Sequence, residues 1–314
     1  MAILTVTLNP ALDLETRTPH LKASEKLRCT DPTRDPGGGG LNVARAIRQL
    51  GGEAVALAAA GGLAGVALQQ MMAARDTPTE LLPAPGDLRQ NLSVIETDTG
   101  RQYRFIFPGP SWSETDFTQA RIALERRVSA GDWVVFSGSL PPGVQPEWLV
   151  DLMTGLARAG GRVVLDTSGA ALRAAVAHPA LGLAVLRIDG PEAETLSGQT
   201  FPTARDSADF AADLVSRGVA SIVICGRGAE GSVLVTAQER WHAPVADVPV
   251  VSRTGAGDSF VAGAVLALSR EMTLAGVLQH GCASASAACT TPATELCDSA
   301  TVERLLGLTV STKI

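Results

Sequence analysis

Aromatic residues are scarce in this chain: Phe, Trp and Tyr together make up 4% of it, with a single tyrosine. A core must therefore be built mainly from Ala, Leu and Val, with many tight turns for which 32 glycines are available. An excess of basic residues is also missing, since 26 Lys and Arg stand against 32 Asp and Glu for a net charge of −6. Counterion release needs a basic face, so this balance argues against a general nucleic-acid partner while leaving room for a local basic pocket. The five cysteines, Cys29, Cys225, Cys282, Cys289 and Cys297, are odd in number and contain no CxxC pair. Zinc and structural disulfides are both poor readings, and free thiols in a reducing compartment fit best. No apolar run approaches the roughly 18 residues of a membrane span, so no membrane partner is expected. The opening Ala2–Leu8 has neither a basic region nor a small-residue cleavage site, and reads as a strand in a cytoplasmic protein. A G-x-x-x-x-G-K-[ST] loop is absent, which excludes a P-loop enzyme.

What is present is a rhythm. Candidate strands at Ala2–Leu8, Glu53–Ala58, Trp133–Phe136, Arg162–Asp166, Ala184–Arg187 and Ser221–Cys225 alternate with helical segments. These helical segments lie near Leu41–Leu50, Val66–Arg75, Thr115–Val128, Glu147–Arg158 and Ala204–Ser216, and three more run from about Gly255 to Leu306. Such alternation predicts one large α/β domain with a mainly parallel sheet covered on both faces. Two stretches break the pattern. Asp13–Asp35 and Arg89–Phe107 are extended, polar-alternating and charged, and could pair into a small antiparallel flap over a cleft. By the two-residue period Lys26 shares a side with Arg28, and Tyr103 with Phe105 and Phe107. An exposed structural sheet with solvated charges is the plainer alternative.

The strongest local signal is Thr254-Gly255-Ala256-Gly257-Asp258-Ser259-Phe260, leading into the helical run Val261–Leu268. Small residues at a helix start let backbone N–H groups converge on an anion. Asp258 could be a capping residue, or a base beside that anion nest. A second cluster, Gly37-Gly38-Gly39-Gly40, precedes Asn42, which can hydrogen-bond sugar hydroxyls. Here the alternative is a flexible connector. Gly226-Arg227-Gly228-Ala229-Glu230-Gly231 satisfies G-x-G-x-x-G, but a strand at Ser232–Val235 follows where a dinucleotide fingerprint needs a helix. Lys26, Arg28, Arg89 and Arg104 all sit on the two extended excursions, as a phosphate pocket would want.

Taken together, these segments resemble the PfkB, or ribokinase-like, carbohydrate kinase family over essentially the whole chain. The resemblance rests on Thr5–Asp13, Pro36–Arg45, Ser137–Gly143 and Thr254–Ser259, in the right order and nearly the right spacing. Lys26–Thr30, Arg89–Leu92 and Gln102–Phe105 look most like its 6-phosphofructokinase branch. It implies a ribokinase-like αβα sandwich over 1–12, 36–88 and 108–314, with a β-sheet lid at 13–35 and 89–107 that forms a homodimer interface. It also implies transfer of the γ-phosphoryl group of ATP, with Mg²⁺, to the C1 hydroxyl of a ketohexose 6-phosphate. Asp258 would be the base and Gly255, Ala256 and Gly257 the anion hole. Asp13, Gly38, Gly39, Asn42 and Ser139 would hold the sugar; Arg89 and Arg104, with Lys26 or Arg28, would hold its phosphate. Asp166 and Glu192 would organise Mg²⁺ through water, and Arg187, Asp189, Gly226, Gly228 and Gly231 would face the nucleotide. A monovalent cation such as K⁺ would sit with adenine around 288–295.

The chain departs from the family on the nucleotide side. Arg187 and Asp189 stand where Lys and Asn are usual, Gly226 replaces a hydroxyl residue, and the 288–295 region is unlike the usual pattern. These departures leave open 1-phosphofructokinase or tagatose-6-phosphate kinase activity, or a non-catalytic sugar-phosphate binder with a degraded nucleotide site.

Overall fold

The structure, a computed structural model, describes residues 1–292 and 295–314. From the N-terminus run β1 (Ile3–Thr7), β2 (Ala11–Thr18), β3 (Thr33–Gly37), α1 (Gly39–Gln49), β4 (Val55–Ala59), α2 (Gly62–Ala73) and β5 (Thr79–Leu82). Next come β6 (Arg89–Glu96), β7 (Gln102–Ile106), α3 (Glu114–Arg127), β8 (Trp133–Ser137), α4 (Pro146–Arg158), β9 (Arg162–Asp166) and α5 (Gly169–Ala177). The chain continues through β10 (Leu183–Ile188), α6 (Gly190–Ser197), α7 (Ala204–Ser216), β11 (Ala220–Gly226), β12 (Ser232–Val235) and β13 (Arg240–Ala243). It closes with α8 (Ala256–Ser269), α9 (Leu274–Cys289), α10 (Ser299–Leu305) and β14 (Thr312–Lys313).

Ten strands form one sheet in the order β14-β13-β12-β11-β10-β9-β8-β1-β4-β5. It is parallel from β5 through β11 and antiparallel beyond. All five residues of β1 and all five of β8 are buried, as a strand covered on both faces requires. One apolar layer carries α1, α2, α8, α9 and α10, through residues such as Leu41, Met72, Val265, Val277 and Val302. The other carries α3 to α7, through Phe117, Leu152, Leu172, Ala193 and Leu214. This is the expected three-layer sandwich.

The two extended excursions pair into a separate four-stranded sheet, β3-β2-β6-β7. Its centre differs from the expected antiparallel flap: β2 and β6 are parallel, with Asp13 opposite Asn91. The reason is connectivity. No hairpin joins β2 to β6: β3, α1, β4, α2 and β5 lie between them, a connection long enough for parallel pairing. Residues 19–32 form no strand; Thr30 instead bonds back to Arg17. The strand alternation expected for Lys26 and Arg28 is therefore not realised.

Candidate active site

The parallel strands end on one side of the sheet, where Asn9, Gly138, Asp166, Asp189 and Gly226 follow or close β1, β8, β9, β10 and β11. The carboxyl edge of such a sheet is the usual place for a ligand crevice. Beside the end of β1 the four glycines are held by contact. A Cβ at 37 would meet the Asp13 carboxylate, one at 39 the Ser137 hydroxyl, and one at 40 would stand 2.5 Å from Thr7 Oγ1. Gly38 has φ +134°, and a Cβ there would lie 2.7 Å from Thr7 Cγ2. This is a packed ramp into α1, so the flexible-connector alternative is set aside.

Asp13 accepts a hydrogen bond from Asn91 Nδ2 at 2.8 Å. Burial pushes its carboxyl above the ordinary range, while Asn91, Arg89 and Arg104 pull it down. Arg104 is exposed on β7, and Ser139 is exposed beyond β8, its Oγ 3.3 Å from Asn9 Nδ2. Arg89 lies differently from the expectation of a guanidinium open to phosphate. It donates to the carbonyls of Asn9 (3.0 Å), Pro10 (3.3 Å) and Phe107 (3.3 Å), fastening the small sheet where the chain enters and leaves it. Lys26 and Arg28 are exposed, and neither forms an ion pair among the described residues.

Helix α8 is buried from Ser259 through Ala267 and emerges at its two ends, its N-terminal turn facing the carboxyl edge of the sheet. Gly255 caps it in the left-handed region at φ +81°. The first-turn amides of Ala256, Gly257 and Asp258 lack i−4 partners within the helix, and Ala256 N reaches Arg253 O at 3.3 Å. Asp258 does not cap the helix; its Oδ2 accepts from Asn42 Nδ2 on α1 at 2.9 Å. Burial, then the Asp166 carboxylate, push the Asp258 pKa up to about 7, against Asn42, Arg187 and Arg45. A carboxylate poised there can take a proton near neutral pH.

Farther along the same edge, at the ends of β8, β9 and β10, Arg187 donates to Asp166 Oδ1 at 3.0 Å, and Ser137 Oγ donates to Asp166 Oδ2 at 3.1 Å. Burial works against the Arg187 charge, yet Asp166, Asp189 and Glu192 together raise its pKa. A Cβ at Gly257 would stand 3.4 Å from Arg187 Nη1, and one at Gly226 would stand 3.6 Å from its Nη2. The guanidinium thus lies between the two glycine turns, within van der Waals reach of both. Asp189 is the N-cap of α6: it accepts from Glu192 N at 2.8 Å, and Glu192 accepts from Asp189 N at 3.2 Å. Asp caps as well as Asn does, which gives the Asn-to-Asp departure a local reason. Burial raises the Glu192 carboxyl, with Asp189 and Asp166 adding to the effect. Gly228 (φ +58°) and Gly231 (φ +98°) shape the turn between β11 and β12. A Cβ at 231 would run into the Ala243 carbonyl. Of the 288–295 region, Ala293 and Thr294 lie outside the described residues.

The profile of the pfkB family carbohydrate kinases matches residues 7–301. This chain is a pfkB-family carbohydrate kinase. ATP-dependent 6-phosphofructokinase isozyme 2 of Mycobacterium tuberculosis is 35% identical over 306 residues, 98% of this kinase and 89% of the relative. Its namesake in Escherichia coli is 38% identical over 298 residues, 94% of each chain. The 1-phosphofructokinase of Xanthomonas campestris is 31% identical over 272 residues, 86% of this kinase and 85% of the relative. Phosphofructokinase-2 from Escherichia coli, solved in complex with substrates and products, superposes with a TM-score of 0.89 at 35% identity. That match covers 98% of this kinase and 99% of the other chain. The Escherichia coli protein has also been solved with potassium and as a tetrameric inhibited form.

Three polar residues lie within the motif stretches yet were assigned no role from sequence. Asn91 holds Asp13, Ser137 holds Asp166, and Arg45 stands behind Asn42. The last had a signal, because residues three apart on a helix share a face.

Proposed function

We propose that this kinase transfers the γ-phosphoryl group of ATP to the C1 hydroxyl of fructose 6-phosphate. The observation that carries the reading is the junction at Asp258. Its carboxylate bonds Asn42 on the glycine-lined acceptor half, while the preceding Gly257 abuts Arg187 on the donor half. A hydroxyl placed between them loses its proton to Asp258 as its oxygen attacks phosphorus; the bond from phosphorus to the β,γ-bridging oxygen breaks, and ADP leaves. The α8 first-turn amides stabilise the charge on the moving phosphoryl group. Asp13, Gly38, Gly39, Asn42 and Ser139 hold the sugar, with Arg104 toward its phosphate and Arg89 keeping the small sheet in place.

No group of three His, Cys, Asp or Glu side chains converges on a metal position among the described residues. Two carboxylates, Asp166 and Glu192, with water completing the shell, suit the hard, octahedral chemistry of Mg²⁺. When bound, Mg²⁺ neutralises phosphate charge. Arg187 supplies a cation on the same side, and the Asp189–Glu192 cap keeps that loop ordered. This set-up speaks against a non-catalytic binder, which would have no use for a base with a raised pKa. K⁺, as the potassium complex of the Escherichia coli relative suggests, would act beside the nucleotide, where Val251 N and Ser252 N both bond Cys289 O.

A second copy of the chain would cover the small sheet. Phe105 and Ile106 on its edge strand β7, with the following Phe107, are 46%, 56% and 51% exposed. The reaction belongs in the cytoplasm, in keeping with five cysteines that are all free.

The test is a panel of sugars and sugar phosphates with ATP or GTP, scored for nucleoside diphosphate release. Turnover with ATP and fructose 6-phosphate, yielding fructose 1,6-bisphosphate, is expected. Turnover confined to fructose 1-phosphate or tagatose 6-phosphate would replace the acceptor, and tight fructose 6-phosphate binding without turnover would leave a binder.

A further inference from the structure

Arg45 lies on α1, one turn beyond Asn42, and is only 6% exposed. A guanidinium is seldom buried to that degree unless its charge is put to use. Its Nη1 is 3.4 Å from Asn42 Oδ1, and Asn42 Nδ2 in turn donates to Asp258 Oδ2 at 2.9 Å. We infer that Arg45 is a positioning residue for the base, fixing the amide of Asn42 so that only its NH₂ end meets Asp258. A guanidinium can donate but never accept, so the amide oxygen must face Arg45. This has a consequence for the proton. A protonated Asp258 would bond best to an amide oxygen, and Arg45 withholds that oxygen. The Asn42 bond therefore favours the ionised, proton-accepting form.

The charged groups facing Asp258 are Asp166 from β9, Arg187 from β10 and Arg45 from α1. Arg45 itself faces Arg75 beyond α2 and Asp35 of β3, which are ion-paired at 2.5 Å. Arg45 differs from the sugar-facing residues in being buried, and acts through Asn42 without touching substrate. The inference rests on Asp258 being the base.

The test compares wild type with Arg45→Met, Arg45→Gln and Arg45→Lys, using rates from pH 6 to 9 with ATP and fructose 6-phosphate. Loss of one facing positive charge moves the acid limb of kcat/KM up by about one unit. The Met variant should then show a rate deficit about fivefold larger at pH 7 than at pH 9, with both KM values within about twofold of wild type. Arg45→Lys, which keeps the charge, should return the limb toward its original position. If the Met variant fails to fold, Arg45→Gln carries the same comparison. A folded neutral variant with an unmoved acid limb overturns the inference, as does a loss confined to either KM. Should the wild type not turn over ATP and fructose 6-phosphate, the proposed function fails first. The inference is then read from the ¹³C titration of the Asp258 carboxyl, assigned with Asp258→Asn: an upward shift of about one unit in Arg45→Gln supports it, and no shift refutes it.

Discussion

Replacing Asp258 by Asn should make this kinase more stable at pH 8 while removing its chemistry. The carboxyl pKa rises from 3.8 to about 7 on folding. A group whose folded pKa is raised favours the native state fully below its unfolded pKa, and that advantage is lost as pH climbs through the folded value. At pH 8 the native protein therefore holds a carboxylate it would rather protonate, at a cost bounded by about 4 kcal/mol. The cleft admits water to Asp258, so about half of that, on the order of 2 kcal/mol, is a sounder figure. Asn removes the charge and keeps an oxygen for Asn42. For a chain of this size the gain corresponds to roughly 4 °C in Tm. Differential scanning calorimetry of both proteins at pH 4.5 and pH 8 checks it: the Asn variant should gain at pH 8 and lose most of that gain at pH 4.5. A Tm difference that does not grow with pH would refute the reasoning.

Other expectations follow from the same geometry. Because the base must be ionised, kcat/KM for fructose 6-phosphate should fall about tenfold per unit below pH 7; a limb near pH 4 would deny the raised carboxyl. Arg187→Met leaves Asp166, Asp189 and Glu192 facing one another, so urea unfolding should show a loss of about 3 kcal/mol. The same variant should raise the ATP KM at least about tenfold and leave the sugar-phosphate KM nearly unchanged, and the reverse pattern would exchange the two halves of the cleft. Ile106→Asp places a charge on the exposed edge of the small sheet, and sedimentation should show dimer giving way to monomer; an unchanged mass would move the interface elsewhere.

Much of the fold could be read in advance because buried parallel strands are short apolar runs, as in Val163-Val164-Leu165, set between helices. The strands that escaped notice lie at the ends of the large sheet: Thr79–Leu82 and Thr312–Lys313 are its two edges and Arg240–Ala243 is next to the latter, and all three have mixed polarity. The glycine clusters and Asp258 were legible because close backbone approach and a helix start leave local marks. Arg89 was not, since a guanidinium binding three carbonyls looks in sequence like one awaiting a phosphate. Asp189 is an intermediate case. Asp-Gly-Pro-Glu reads as a cap, a proline in the first turn and a reciprocal glutamate, and weighing that pattern would have given Asp189 a structural role as well as a nucleotide-facing one.

Steady-state turnover of Asp258→Asn with saturating ATP and fructose 6-phosphate at pH 8, beside its sugar-phosphate dissociation constant, probes the junction at the foot of α8 most directly. Loss of a general base there should lower kcat by about 10²–10⁴ with binding within about threefold of wild type. A variant that turns over at the wild-type rate would place the proton acceptor elsewhere and end the reading of Asp258 as the base.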